Sequence, residues 1–294
     1  HVPHPMAGYV DLHAHSTASD GTAAPGEVVR MAKRVGLSAI ALTDHDTVGG
    51  IAEAQAAAEE VGIDFLPGIE ISCRYPQPGV MHLLGYGIDP THPRLTQLID
   101  QLIAGREARN PRIIERLQRL GIDITLNEVI AKAGGGVIGR PHFAAVLIEK
   151  GRANSVRQAF DWYLGPGAPA YVEKERVAAR DAIDAIRDAG GIAVLAHPSQ
   201  LRATNRAHLE RIVKDLVDLG LGGIEVLHSD HDDMMVRQAE SLSRRYGLLP
   251  TGGSDFHGSR KAQVRLGWAG RRRVPRAWYD DLAAAVADAR GGAG

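Results

Sequence analysis

Seven short runs rich in Val, Ile and Leu recur along the chain, and most are bordered by segments whose apolar positions follow helical spacing. The runs are YVDLHAH (9–15), LSAIALTDH (37–45), DFLPGIEI (64–71), VMHLLGYG (80–87), GIAVLAH (191–197), GGIEVLH (222–228) and GLLPTGGSD (247–255). Between them lie APGEVVRMAKRVG (24–36), TVGGIAEAQAAAEEVG (47–62), ERVAARDAIDAIRDAGG (175–191), RAHLERIVKDLVDLG (206–220) and DDMMVRQAESLSRRYG (232–247). The first has Pro near its start and Gly at its end, the usual asymmetry of a helix. Strands alternating with helices predict a parallel α/β architecture. Seven units suit a barrel better than a doubly wound sheet, and no GxGxxG turn supports a dinucleotide fold. The expected fold is therefore α/β, a distorted seven-unit barrel with its chemistry at the C-terminal strand ends.

Residues 90–168 interrupt this rhythm. LTQLIDQLIAGREARNPRIIERLQRLG predicts one or two amphipathic helices, broken near Asn110–Pro111 because proline disfavours helix at the residue before it. Thr125 and Glu128 stand at capping-box spacing. GRPHFAAVLIEKG and SVRQAFDWYLG predict further short helices. The expected organisation is a barrel from 1–89 and 169–294, with a small helical insert at 90–168 lying over its mouth.

Composition narrows the class. The chain has 294 residues, 44% of them hydrophobic and 23% charged, as expected of a soluble globular protein. A net charge of −1 gives no global field for long nucleic acids, so duplex DNA is not an expected partner, although a local arginine cluster suffices for a small nucleotide. No apolar run approaches the ~20 residues of a membrane helix, and nothing resembles a signal peptide. Cys73, the single cysteine, excludes intrachain disulfides, and the expected location is cytoplasmic. The opening HVPHP reads as a processing or expression remnant, and His1 and His4 carry no functional weight. The oligomeric state is not legible.

Every one of the seven runs carries or adjoins His or a carboxylate. The first ends in His13 and His15, the second in Asp44 and His45, the third carries Glu70 and the fourth His82. The fifth ends in His197, the sixth in Glu225 and His228, and the seventh in Asp255 with His257 just beyond. In an extended strand, alternate residues share a side, so His13 and His15 can hold one ion. One such histidine would be an ordinary hydrogen-bonded polar residue. Burying so many titratable groups together without a cation is costly, which points to a site for divalent metal. More than four candidate ligands implies two or three ions. Imidazole and carboxylate donors suit Mn²⁺, Fe²⁺ or Zn²⁺. Such ions activate water for hydrolysis. No G-x-S-x-G elbow appears, and Cys73 has no evident base, so a covalent nucleophile is disfavoured.

The motifs DLHAHSTASDG, TDHDTVGG, PGIEIS, HLLGYG, GRPHFA, VLAHP and GGSDFHG, in this order, resemble the PHP (polymerase and histidinol phosphatase) family. The resemblance implies a distorted (β/α)7 barrel with a di- or trinuclear centre, Mn²⁺ being the first choice. It implies one ion on His13, His15, Glu70 and Asp255, a second sharing Glu70 and adding His82 and His197, and a third on Asp20, His45 and His257. A hydroxide between the first two ions would attack phosphorus, with Asp255, His197 or His257 as the catalytic groups that move the proton. The insert carrying GRPH resembles the stand-alone phosphoesterases that take the 3′-phosphate from 3′,5′-bisphosphonucleotides such as pAp, some of which also trim short RNA from the 5′ end. Arg140 and His142 would then grip substrate phosphate, for which the planar Arg fork is suited.

Other residues have weaker claims. Ser16 can donate to a phosphate or cap the next turn. Arg202 and Asn205 follow AHP, where a substrate loop would lie. Glu225 and Asp44 can orient ligand histidines. His228 and His231 match no assignable position. Trp162, Tyr163 and Phe143 can stack on a base, but such spacing usually packs helices. Rival activities are histidinol-phosphate phosphatase, cyclic phosphodiesterase and a non-catalytic nucleotide sensor. The sensor reading is disfavoured because every expected ligand position is filled.

Overall fold

The computed structural model describes residues 8–292; His1 and His4 lie outside them. The barrel strands are β1 (Tyr9–Asp11), β2 (Ala39–Leu42), β3 (Asp64–Cys73), β4 (Met81–Tyr86), β5 (Ile192–Leu195), β6 (Gly223–His228) and β7 (Leu249–Gly253). A two-residue β8 (Val274–Pro275), which the apolar pattern is too short to announce, pairs antiparallel with β1. The order across the sheet is β7-β6-β5-β4-β3-β2-β1-β8. The chain beyond β1 closes the circle onto the end of β7 and the segment after it: Leu12 N donates to Gly252 O, Asp255 N to His13 O and His15 N to Phe256 O. The fold is a distorted (β/α)7 barrel.

One strand departs from the expected parallel order. No helix separates β3 from β4, so they form a hairpin, and β4 is antiparallel to both β3 and β5. The inversion has a functional consequence. The start of β4, rather than its end, reaches the barrel mouth, and His82 is its second residue.

Helices α1 (Pro25–Arg34), α2 (Ile51–Val61), α7 (Ala179–Asp188), α8 (Arg206–Asp218), α9 (Asp233–Tyr246) and α10 (Arg276–Gly291) surround the strands. Between β4 and α7 come α3 (Pro93–Arg119), α4 (Leu126–Ala133), α5 (Arg140–Glu149), α6 (Val156–Ala159) and a π turn at Phe160–Leu164. The capping box forms at Thr125 and Glu128. The expected break at Asn110–Pro111 does not: α3 is one helix with Pro111 inside it. Its first half puts Leu95, Leu98, Ile99 and Leu102 into the barrel core, while Ile113, Ile114 and Leu117 enter a separate core with Val129, Phe143, Leu147 and Val172. An interior proline costs roughly 3 kcal/mol, but each buried Leu or Ile contributes about 1.5–3 kcal/mol. Anchorage on both sides therefore outweighs the local preference. Phe143 is fully buried in this second core, as packing spacing suggested, whereas Trp162 is exposed. None of the described helices is long and apolar enough to cross a membrane.

Candidate metal centre

The barrel's strand ends deliver the polar residues to one place. His13 and His15 follow β1, flanked by backbone bonds to Phe256 on one side and by Thr43 N to Ala14 O on the other. Glu70 lies within β3 and is bridged to His45 beyond β2. His197 follows β5, while Asp255 and His257 follow β7. Of the four non-glycine residues with positive φ among those described, three are here: Asp46 (54°), His197 (22°) and Asp255 (60°). Such backbone is costly and persists where the surroundings over-determine it.

Glu70 is the hub. Its Oε2 lies 3.2 Å from His13 Nε2, 3.1 Å from His15 Nε2 and 3.2 Å from His45 Nδ1. Its Oε1 lies 2.8 Å from His82 Nδ1 and 2.9 Å from His197 Nε2. Asp255 Oδ1 approaches His13 Nε2 at 3.4 Å and His15 Nε2 at 3.1 Å. Asp20 Oδ1 stands 3.1 Å from His257 Nε2, and its Oδ2 stands 3.6 Å from His45 Nε2. Donor atoms of His13, His15, Glu70 and Asp255 thus cluster within reach of one ion, as do those of His15, Asp20, His45 and His257. A smaller group joins His45, Glu70 and His82.

Hydrogen bonds to fixed partners sort these histidines. Glu225 accepts from His197 N through Oε1 and meets His13 Nδ1 at 2.7 Å through Oε2. His13 therefore gives Nδ1 to Glu225 and aims Nε2 at Glu70 and Asp255. His257 Nδ1 donates to the Asp255 carbonyl, again leaving Nε2 free. His228 is the opposite case. Its Nδ1 accepts from Asp230 N at 2.9 Å, so Nε2 bears the proton and faces Asp255 Oδ2 at 3.3 Å. His228 is a donor, although it lies near His13 and Glu225. His231 Nδ1 donates to Val226 O, tying the loop after β6.

These residues fit a metal. Both ring nitrogens of His15 are buried and without a hydrogen-bond partner, although Nε2 is 3.1 Å from two carboxylate oxygens. Imidazole nitrogens and carboxylate oxygens converging on one point are what cation ligation requires. The electrostatics agree. Burial opposes charge throughout, yet Glu225, Glu70 and Asp255 hold His13 well above its ordinary value. The same opposition is overcome at His15, which Asp255 and Glu70 raise to about 10. Against burial, the imidazoles keep Glu70 and Asp20 well below the carboxylate range, and Lys261 and His13 do the same for Asp255. Burial prevails at His45 and His197, both lowered. The carboxylates draw protons onto neighbouring imidazoles, and divalent ions would supply the same compensation.

A cavity of about 250 Å³ opens from this cluster and has a second, cationic end. Asp20, His45 and His82 line one side, and Arg106, Arg109, Arg140, Lys174 and Arg176 line the other, with Phe160 offering an aromatic face. Buried Asp46 binds Arg106 at 2.5 Å, lies 3.5 Å from Lys174 and accepts from Ser72 N. Exposed Glu173 is 3.8 Å from Arg176. Among the described residues, Arg109 and Arg140 have no carboxylate partner. Arg109 bonds only to the Asn110 side-chain oxygen. Arg140 donates to Val172 O, stacks 4.6 Å over Tyr171 and keeps a buried, unpartnered Nε. Burial together with Arg106 presses Lys174 down to about 7, with Asp46 opposing. Guanidinium groups keep their charge regardless, so this end holds cations in excess. Sequence reasoning found Arg140 but missed Arg106, Arg109, Lys174, Arg176 and Asp46. The Asp46 of TDHDT was the available signal.

Three expected substrate contacts need correction. Ser16 is fully buried, donating to Asp44 Oδ2 and accepting from Ala18 N, so it holds its turn and does not face the cavity. Asn205 caps α8 by accepting from His208 N. Arg202 is exposed, at the end of a short turn after β5, and does not line this cavity. Asp44 orients no histidine; it binds Ser16 and Ser19. His142 is buried and uses Nδ1 to accept from Gly139 N, leaving protonated Nε2 as the atom it can offer.

The PHP domain model matches residues 11–173. Over 256 residues the chain is 39% identical to a 5′-3′ exoribonuclease of Haemophilus influenzae, covering 86% of this chain and 91% of that one. Over 258 residues it is 37% identical to a 3′,5′-nucleoside bisphosphate phosphatase of Chromobacterium violaceum, covering 84% and 87%. Among solved structures, a protein from Bifidobacterium adolescentis described as a candidate metal-dependent phosphoesterase superposes with a TM-score of 0.85 at 30% identity, covering 96% of this chain and 98% of the other.

Proposed function

This chain belongs to the PHP domain family, and on that premise we propose that it removes the 3′-phosphate from 3′,5′-bisphosphonucleotides, releasing a 5′-nucleotide and phosphate. It is a metal-dependent phosphoesterase. The observation that carries the substrate reading is a cavity lined by two unlike sets of residues, part of the carboxylate–imidazole cluster and an excess of buried and half-buried cations. A monoester needs only the first. A molecule with two phosphates uses both.

The groups that would hold the ions are His13, His15, Glu70 and Asp255, with Glu70 shared toward His82 and His197, and Asp20, His45 and His257 beside them. Mn²⁺ is the working ion, and Fe²⁺ or Zn²⁺ suits the same donors. When bound, such ions provide a water of lowered pKa and polarise the phosphoryl oxygen. The chain's own residues do the rest. Glu225 fixes the His13 tautomer. Arg140, Arg109 and Lys174 take the second phosphate, which orients the scissile ester toward Glu70. Asp46 keeps Arg106 and Lys174 in place. Phe160 gives the base or sugar an apolar surface. His142 Nε2 is a further donor near the GRPH turn.

A second reading, 5′-3′ cleavage of short RNA, uses the same geometry and accords with the activity named for the Haemophilus relative. The 5′-phosphate would occupy the cationic end, and the first internucleotide ester would lie at the metal end. Phosphate and nucleotide release with Mn²⁺ tests both, comparing pAp, 3′-AMP, 5′-AMP, a 5′-phosphorylated trinucleotide and histidinol phosphate. We expect pAp to lead and 3′-AMP, lacking the second phosphate, to trail in kcat/KM by more than the roughly 10–100-fold that one charged hydrogen bond is worth. Equal rates for pAp and 3′-AMP would overturn the bisphosphate reading.

A further inference from the structure

The two oxygens of Asp255 face different company. Oδ1 looks toward His13 Nε2 and His15 Nε2, inside the candidate metal cluster. Oδ2 looks away, 2.9 Å from Lys261 Nζ and 3.3 Å from the protonated Nε2 of His228. His228 is held independently of Asp255, whereas the Lys261 ammonium has Asp255 as its carboxylate partner. Asp230 N fixes the His228 ring through Nδ1, and Ser229 Oγ ties the same loop to Ser254 O, next to Asp255. Lys261 ends the short turn Gly258–Lys261 after His257, and its side chain is 38% exposed. Asp255 itself sits at φ 60°, in the left-handed region that aspartate enters more readily than most side chains.

We propose that Lys261 and His228 are positioning residues that keep Asp255 a one-oxygen ligand of the metal centre. This rests on the metal-dependent reading above. A carboxylate beside a divalent ion can bind through one oxygen or close on it with both. Occupying Oδ2 with an ammonium and an imidazole N–H prevents the second mode. That leaves a coordination position for water or a phosphoryl oxygen, which hydrolysis needs. It also means that Asp255, with both oxygens engaged, is poorly placed to carry the reaction's proton.

Cobalt(II) reports this without turnover, because its visible d–d absorption weakens as coordination number rises. Full-length protein would be loaded with Co²⁺, and bound cobalt would be counted for wild type, Lys261→Met and Lys261→Arg. Lys261→Met removes the charge at a half-exposed position and should fold normally. We expect it to bind cobalt with a loss of absorption per ion and a lower kcat, while Lys261→Arg restores the wild-type spectrum. An unchanged spectrum in Lys261→Met, or the same change in Lys261→Arg, overturns the proposal. Loss of cobalt from a folded Lys261→Met also overturns it, since freeing Oδ2 should add a ligand atom. A wild type that binds no cobalt would instead sink the metal-dependent reading.

Discussion

The two ends of the cavity are built by different means. At the metal end most ligand-type residues lie at or just beyond the ends or starts of barrel strands, with Glu70 inside β3 and Asp20 in the turn after β1. Neighbouring backbone hydrogen bonds set the spacing of the strand-end residues. At the cationic end Arg106 and Arg109 come from the middle of α3, Arg140 from the first position of α5, and Lys174 and Arg176 from the linker before α7. One buried carboxylate, Asp46, joins these elements to the barrel. Under the proposed function, the contrast gives chemistry to the barrel and substrate choice to a set of elements outside it. Evolution can then alter the second phosphate site while leaving the hydrolytic centre intact.

The largest expected effect comes from breaking the metal end. His13→Ala removes a nitrogen that faces both Glu70 and Asp255, and Asp255→Ala removes the oxygen shared with His15. Either should lose bound metal and nearly all activity on every substrate, pAp and 3′-AMP alike. Metal analysis of the purified variants and phosphate release check this together. A variant that kept its metal and its rate would remove that residue from the centre.

The comparison also explains what could be read from the chain. Strand-end residues are legible because a short apolar run marks the strand and its terminus marks the mouth. His13, His15, Asp20, His45, Glu70, His82, His197, Asp255 and His257 were all nameable in this way or by motif. Glu225 was legible too, and the structure gives it a definite task in holding His13. The arginines of α3 were not. On a helical pattern Arg106 and Arg109 look like a solvated face, and only the turning of that face toward Asp46 makes them a site. Local rules failed at Pro111 for a related reason, since two cores on either side of it decide the helix. Ser16 and Asn205 erred the other way: polar residues near a motif were satisfied by their own turns. Lys261 and His228 lay outside the motif and gained meaning from the orientation of one carboxylate.

A change at the cationic end should separate the two ends. Arg140→Ala removes a half-buried guanidinium that lines the cavity without a carboxylate partner. Losing one charge-assisted bond to phosphate costs about 1.5–3 kcal/mol, or roughly 10–100-fold in kcat/KM for pAp. Bound metal should stay at the wild-type level, and 3′-AMP, with nothing to place there, should change little. If metal were lost as well, Arg140 would be structural and the division between the ends would fail.

The smallest expected effect is a pH dependence confined to the cationic end. Burial and Arg106 push Lys174 down to about 7, against the pull of Asp46, so the empty pocket loses a positive charge as pH rises through that value. The substrate's own second phosphate ionisation lies lower, near ~6. KM for pAp should therefore climb above pH 7, by at most about tenfold per pH unit for a single proton. Stability runs the opposite way. The folded pKa of Lys174 lies below its ordinary 10.5, so between about 7 and 10.5 the unfolded chain binds more protons, and this group makes folding more favourable as pH increases. A rising KM in that window cannot then be ascribed to Lys174-linked unfolding. Dividing the KM of pAp by that of 3′-AMP cancels the pH response of the metal end, and Lys174→Met should flatten the ratio. A ratio that stayed flat in the wild type, or kept its slope in Lys174→Met, would show that Lys174 does not meet the second phosphate.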